Sequence, residues 1–571
     1  MKQWMLYSKR ADFNKISARF LISPYTARIM VNRDIREEEM EIFLRPDIKS
    51  VPSPYLLNGA GEAAKVLKAK IESDKRIRIV GDYDIDGVCS TYIYYSALKR
   101  LGAKVDYEIP DRIKDGYGIN EAIIEAAYRD KIDTVLTCDN GIAAFEALSY
   151  GKSLGLSIIV TDHHEVFKAE DGSDRLPEAD IVIDPKRSDC NYPYKNICGA
   201  MVAYKLVKVL YELYALSDTG EFTEFEDFVS IATVGDVMPL RAENRFFLKQ
   251  SLKRLKNTKN TGLRKLLEAC GLMSKEINSF DIGFVIGPCI NAGGRLESAK
   301  IALKLFISQE EASAQQLALR LKELNDERKA LTLKGLKQAI AQVEALYLED
   351  RVLVVYLEGC HESLAGIIAG RLREKYYKPA FVITNTEDNA LKGSGRSIEA
   401  YDMFKKICEA DKYLLKYGGH KMAAGLSLEK ERLDEFRAFL NANCSLTEED
   451  FKEKLWIDIA LPFSYITEEL VNELELLEPF GQDNPKPAFA GKDIKILSIK
   501  ILGKDRNVVR LVVKGSDNFI MEALIFTDGD KFLEEVGNHK YMSAIFYPKI
   551  NEYRGRKSIE LIIRHYKFTG I

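Results

Sequence analysis

No stretch of this chain is apolar for anything near the roughly 20 residues that a membrane-spanning helix needs. The opening residues Met1-Lys2-Gln3-Trp4 lack the apolar core of a secretion signal. CxxC spacing is absent. The nine cysteines (Cys89, Cys138, Cys190, Cys198, Cys270, Cys289, Cys360, Cys408 and Cys444) are scattered and odd in number. That excludes a disulfide framework or a zinc ribbon and leads us to expect reduced thiols in a cytoplasmic protein. Histidine is scarce, with only six in the chain. There is no HExxH, GxSxG or Walker loop, so zinc peptidase, α/β-hydrolase and P-loop chemistry drop out. Charge of one sign is also missing: 83 Lys and Arg against 86 Asp and Glu give a net charge of -3. A polycationic, histone-like binder is excluded; a local basic groove is not, because an acidic site elsewhere would mask it in the sum. Internal repeats and low-complexity tracts are absent as well.

What is present is length and alternation. At 571 residues the chain is too long for one core, and about three to four domains are expected. Residues 1–70 read as a helical region. Within it, Glu37 to Leu44 has the pattern of an amphipathic helix, stopped by Pro46. From 71 to 245 strand and helix alternate. Strands are expected over 77–80, 104–109, 133–137, 157–161 and 180–184, with helices over 88–101, 120–130, 142–153 and 199–214. This is the pattern of a doubly wound α/β domain with a parallel sheet. Residues 246–345 read as a helical connector. It starts with a basic helical stretch and ends in one long charged helix over 309–345. A second α/β unit follows over 346–447. Residues 448–571 turn to β, with short strands over 493–502, 507–513, 519–526, 541–547 and 558–567 that suit an OB-type barrel.

The chemistry concentrates at three expected strand ends. Ile77 to Val80 runs into Asp82-Tyr83-Asp84-Ile85-Asp86-Gly87, Thr134 to Leu136 runs into Asp139-Asn140-Gly141, and Leu156 to Val160 runs into Asp162-His163-His164. In an open parallel sheet these ends gather on one edge, where ligands bind. So many carboxylates in one place repel unless cations are present. An oxygen-rich set with one or two imidazoles suits Mn²⁺ or Mg²⁺ better than Zn²⁺. Asp236, in Gly235-Asp236-Val237, adds a carboxylate from a later loop.

These four runs, in this order and spacing, resemble the four motifs of the DHH phosphoesterase superfamily. Within it the whole chain resembles the single-strand-specific 5′→3′ exonucleases of recombination and repair. The resemblance implies a metal-dependent hydrolase holding two divalent ions, Mn²⁺ or Mg²⁺. Asp82 and Asp84 would bind one ion, Asp86 and His163 the other, with Asp139 between them and Asp236 as a further ligand. His164 would face the scissile phosphate and Asp162 would fix an imidazole in the required tautomer. The implied substrate is single-stranded DNA, acted on by a monomer that works beside a single-strand-binding protein and a RecQ-type helicase, with no membrane partner.

The second α/β unit carries His361, then Gly366 to Arg371, then Gly393-Ser394-Gly395-Arg396-Ser397, then Gly418-Gly419-His420. Glycines can let backbone amides approach phosphates, and Arg and His add charge-assisted contacts. In this order the clusters resemble the DHH-associated domain, which implies nucleic-acid contacts from His361, Arg371, Gly395, Arg396, Ser397, Gly419 and His420. Ile286 to Leu296 resembles a further family segment and adds Asn291 and Arg295, although the family pattern has Arg where this chain has Cys289. Taken by itself, that stretch reads as a glycine-rich loop before a helix. The basic run Lys253-Arg254, Lys256, Lys259, Arg264-Lys265 reads as a solvated helix face as readily as a DNA contact. In the barrel, Phe526, Phe546, Tyr547, Tyr553 and Arg554 could stack on unpaired bases or simply fill a core. The alternative activity is that of a DHH nanoRNase or cyclic-dinucleotide phosphodiesterase, which would leave the barrel without a purpose.

Overall fold

Branched aliphatic residues dominate four of five short strands, as expected where both faces of a parallel sheet are covered; the remaining strand, at the sheet edge, is more polar. In the computed structural model, which describes residues 2–216, 220–386, 390–553 and 555–569, these strands are Arg76–Val80, Lys104–Glu108, Thr134–Thr137, Ser157–Thr161 and Ile181–Ile183. All four pairings are parallel, and the spatial order is second, first, third, fourth, fifth. The order therefore reverses between Arg76–Val80 and Thr134–Thr137, a switch point at which two strand ends open a crevice. The crossover helices Ile85–Arg100, Glu121–Arg129 and Phe145–Ser153 fall where the sequence pattern puts them.

The chain forms two compact units. The first comprises residues 52–238 and 250–453; the second comprises 2–51, 239–249 and 454–571. The helical region expected over 1–70 is thus divided between them. Its expected helix over Glu37 to Leu44 is shortened to Met40–Leu44. The Glu39 carboxylate turns back onto the Arg36 backbone N–H (3.3 Å) and guanidinium (3.1 Å), which holds residues before Met40 in a turn.

In the first unit the long helix Glu311–Gln342 leads to a mixed five-stranded sheet. Its order is Lys416–His420, Ala423–Leu428, Leu391–Arg396, Ala380–Asn385, Leu353–Tyr356, with only the last two strands parallel. The basic stretch before the long helix comprises the last residues of helix Ala242–Arg254 and helix Thr261–Ala269. Arg254 there pairs with Glu226 and Asp227, and Arg264 and Lys265 pair with Glu311. These cations are neutralised within the fold, as on a solvated helix face.

In the second unit the strands Phe489–Leu502, Val508–Lys514, Ile520–Phe526, Arg556–Thr569 and Tyr541–Tyr553 close into a barrel, because the last pairs back onto the first. Inward residues such as Val509, Leu511 and Val513 alternate with outward ones. Phe546 and Tyr547 are core residues, whereas Phe526 is exposed. The Tyr553 side chain and Arg554 lie outside the described residues. Arg245 is buried in this unit with no ion pair among the described residues; it donates to the carbonyls of Phe43, Leu476 and Leu477 at 2.8, 2.9 and 3.1 Å. No helix among the described residues is long and apolar enough to cross a membrane.

Candidate metal centre

The first acidic run is shaped by the start of a helix. Asp84 caps Ile85–Arg100, its carboxylate accepting from the N–H groups of Asp86 (2.9 Å) and Gly87 (3.1 Å). Gly87 is needed here, since a β-carbon would lie 2.4 Å from the Asp82 carbonyl oxygen. Asp86, fully buried, accepts from Gly199 N–H (2.6 Å) and Ala200 N–H (2.8 Å) at the start of helix Gly199–Leu213. The positive end of that helix supports a charge that would otherwise be expensive to bury. Asp139 sits in left-handed backbone, φ 60°, directly after its strand. Asp236 ends helix Glu221–Gly235.

These elements bring the carboxylates together. Ligand atoms of Asp82, Asp84 and Asp139 lie within 4.8 Å of one another, as do those of Asp86, His163 and Asp236, and those of Asp139, His163 and His164. His163 Nε2 is 3.0 Å from Asp139, 3.4 Å from Asp86 and 3.6 Å from Asp236. Burial, with like charge from Asp86 and Asp84, pushes Asp236 up to about 8; burial and Asp84 push Asp86 to about 7. Asp82 and Asp139 are raised well above the carboxylate range, by burial first and neighbouring aspartates next. Burial and the neighbouring His164 hold His163 down to about 3, so it is a neutral imidazole able to donate a lone pair. One oxygen of Asp82 is buried with no hydrogen-bond partner. An orphaned oxygen, mutually repelling carboxylates and a neutral imidazole fit hard divalent cations.

Asp162 and His164 form a separate pair. The Asp162 carboxylate accepts from His164 Nδ1 (2.7 Å), His163 N–H (2.7 Å), His164 N–H (3.2 Å) and Ile142 N–H (2.9 Å). Burial opposes its ionisation, but the bonds and charge from the histidines outweigh that and hold it to about 2. Burial likewise disfavours the His164 cation, and Asp162 overcomes this to raise it to about 9. His164 remains 44% exposed, and the Tyr117 hydroxyl lies 3.2 Å from its Nε2 while donating to the Asp139 carbonyl.

Near the carboxylates lies a group of arginines. Arg295 donates to the Ser363 carbonyl (2.7 Å), and burial with neighbouring Arg112, Arg328 and Arg396 lowers its guanidinium to about 9. Arg396 donates to Gly395 O (2.7 Å) and Ser394 Oγ (3.1 Å), and Gly366 leaves it room: a β-carbon there would be 2.7 Å from Arg396 Nη2. Among the described residues, neither has a carboxylate partner. Arg112 lies 4.7 Å over the Tyr83 ring. Cations crowded without counter-charge are prepared for an anion.

The structure changes the standing of several expected nucleic-acid residues. Asn291 and Arg295 lie on a helix, Gly287–Leu296, and not in a loop. Its Gly294 allows contact with the Tyr83 carbonyl, 2.5 Å from where a β-carbon would be. Ser397 is buried, its hydroxyl given to the Tyr401 carbonyl (2.6 Å) and its N–H to Met422, so it presents no donor to a ligand. Gly395 lies in an interior strand, and its missing side chain makes room for the Phe381 ring and Met403 sulfur. Its backbone serves the sheet, not a phosphate. His361 caps helix Glu362–Tyr376, Arg371 is exposed and pairs with Glu374, and Gly419 and His420 are exposed at the end of an edge strand. Arg112, Arg328, Tyr83 and Tyr117 were not singled out in the sequence. Tyr117 lies between Gly116 and Gly118, which is at most a turn signal.

A parallel sheet whose strand ends hold this Asp/His cluster, joined to a second α/β part with an arginine-lined face, defines a DHH-type, metal-dependent phosphoesterase. Residues 76–233 match the DHH family N-terminal domain, 349–446 the DHHA1 domain and 457–565 the RecJ OB domain. The chain belongs to the RecJ family. It is 33% identical over 563 residues to the single-stranded-DNA-specific exonuclease RecJ of Bacillus subtilis, spanning 97% of this chain and 70% of that one. It is 31% identical over 579 residues to RecJ of Escherichia coli, spanning 95% of each. The crystal structure of RecJ from Thermus thermophilus in complex with Mn²⁺ is similar at a TM-score of 0.84 and 27% identity, covering 100% of this chain and 80% of that one. The corresponding Mg²⁺ complex gives 0.79 and 26%, covering 100% and 79%.

Proposed function

We propose that this chain hydrolyses single-stranded DNA from the 5′ end, releasing 5′-mononucleotides, with two divalent ions at the Asp/His cluster. The observation that carries the reading is the juxtaposition, within one compact unit, of that cluster and the uncompensated arginines Arg112, Arg295 and Arg396. Asp82, Asp84 and Asp139 would hold one ion; Asp86, His163 and Asp236 would hold the other, with Asp139 shared. Divalent ions bound there supply neutralisation of the phosphoryl oxygens and a water that loses its proton near neutral pH. His164, kept protonated by Asp162, donates to a non-bridging oxygen of the scissile phosphate and strengthens that bond as charge develops. Tyr117 keeps the His164 ring in place. Arg295 and Arg396 hold backbone phosphate, and the barrel offers exposed Phe526 for stacking on an unpaired base.

Nine free thiols fit a reducing compartment, and we place the protein in the cytoplasm as a monomer. A single-strand-binding protein and a RecQ-type helicase are the partners that would supply its substrate. The test is incubation with Mn²⁺ and single strands labelled at either end, beside Asp139→Ala. Release of mononucleotides from the 5′ end by wild type alone supports the proposal. Survival of long strands while dinucleotides are cut would move the activity to a nanoRNase or cyclic-dinucleotide phosphodiesterase.

A further inference from the structure

Two cysteines outside the carboxylate cluster meet on adjoining helices. Cys270 ends helix Thr261–Ala269, and Cys289 lies on Gly287–Leu296, the helix that also carries Arg295. Their sulfurs are 3.7 Å apart. Among the described residues no other two cysteine sulfurs are in contact. Cys289 is buried and Cys270 is partly open to solvent, so a small oxidant approaches along Cys270. The Asn325 amide donates to Cys289 Sγ at 3.2 Å. Arg328 fixes that amide by donating to its oxygen at 3.1 and 3.0 Å, which leaves the nitrogen for the sulfur. The thiol contact from Cys270 favours the thiolate of Cys289; burial opposes it, and the Asn325 N–H with the charges of Lys329 and Lys322 tips the balance back towards the thiolate.

We propose that Cys270 and Cys289 are a reversible oxidation site that closes to a disulfide on reaction with hydrogen peroxide. The Cys289 thiolate attacks the terminal peroxide oxygen; the O–O bond breaks, hydroxide leaves and takes a proton to become water, and Cys289 becomes a sulfenic acid. The Cys270 sulfur then attacks Cys289, the S–O bond breaks, and the hydroxyl leaves as water with the Cys270 proton. Two thiols are oxidised by two electrons and one peroxide is reduced. The sulfurs must approach to about 2.05 Å, a movement that side-chain rotation and a small helix shift can supply. A dithiol regenerates the pair by exchange.

The full chain is treated with hydrogen peroxide, alkylated, digested and mapped by mass spectrometry, beside Cys289→Ser and Cys270→Ser. The expected result is a linked peptide pair containing Cys270 and Cys289, about 2 Da lighter than the two thiol peptides, reversed by dithiothreitol and absent from both variants. In Cys270→Ser, a sulfenic-acid probe such as dimedone is expected to label Cys289. The unfolding midpoint of oxidised wild type should rise by a few degrees, because the bond closes a loop in the unfolded chain, while Cys289→Ser should not respond. Full alkylation of both cysteines under conditions that oxidise exposed Cys408, or a disulfide joining a different pair, overturns the proposal.

Discussion

The α-carbon of Gly199 packs directly against Asp139. A β-carbon on Gly199 would lie 2.7 Å from Asp139 Cβ and 3.0 Å from its Cα, while Gly199 N–H holds Asp86 at 2.6 Å. One glycine thus positions two carboxylates from different strand ends. Gly199→Ala is expected to shift Asp139 and raise the Mn²⁺ concentration for half-maximal activity by about 10- to 100-fold. The check is a metal titration of nuclease rate, with circular dichroism to show that the fold survives.

Repulsion among the aspartates makes a distinct prediction about stability. Asp139→Asn removes one of the like charges and should raise the melting temperature of the metal-free protein. Mn²⁺ should raise the midpoint of wild type, by about 2.7 kcal/mol of stability at a hundred times its dissociation constant. It should do little for the variant. A variant that is less stable without metal, yet equally stabilised by it, would speak against the role given to Asp139.

Asp184, just past strand Ile181–Ile183, is pushed up to about 8 by burial and then by Asp162; one oxygen accepts from Lys186 N–H at 2.7 Å and the other has no partner. Its folded-state value lies above its unfolded value near 3.9, so the folded protein holds the proton more tightly. The contribution to stability is full below about pH 4 and is lost as pH rises towards 8, at roughly 1 kcal/mol per pH unit. Asp184→Asn should therefore melt progressively above wild type from about pH 5 to 8, and the gap should vanish below about pH 4. Melting curves across this range test it; a constant gap would refute it.

Arg295 and Arg396 are assigned to phosphate. Replacing either with Ala should raise KM for single strands more than it lowers kcat. It should also flatten the dependence of log affinity on log salt by about 0.7 for each phosphate no longer neutralised. Lysine at these positions should restore the salt slope but not the full affinity, because it keeps the charge and loses the fork.

In the second unit, Arg245→Met would leave the carbonyls of Phe43, Leu476 and Leu477 without their donor. Each buried acceptor left unpaired costs about 1–3 kcal/mol. We expect a loss of several kcal/mol in chemical unfolding, with metal binding in the first unit unchanged.

The strands and crossover helices of the first unit were legible because each is short, bounded by turn residues and patterned by burial. So were the acidic strand ends, since parallel connectivity alone puts them on one edge. The barrel was legible from alternation, though its strands run longer than the pattern suggested: Tyr541–Tyr553 and Arg556–Thr569 extend into a hairpin beyond the apolar core. The alternative reading of Ile286 to Leu296 as a glycine-rich loop fails for Asn291 to Arg295, which lie on a helix. In a helix pressed against the Tyr83 carbonyl, a missing side chain is what permits the approach. The burial of Gly395 and Ser397 was not legible for a related reason: a GxGRS pattern does not say which side of the strand faces the core.

The sequence by itself determined the order of elements, the identity of the carboxylates and imidazoles, and their convergence. Local periodicity and chain direction are properties of consecutive residues. Tertiary structure decided which imidazole pairs with which aspartate, that Gly199 abuts Asp139, and that Arg112, Arg295, Arg328 and Arg396 form one group. It also decided that residues 2–51 belong with 454–571. Those relationships join positions tens to hundreds of residues apart. They depend on how side chains fill a shared interior, which no short-range pattern encodes.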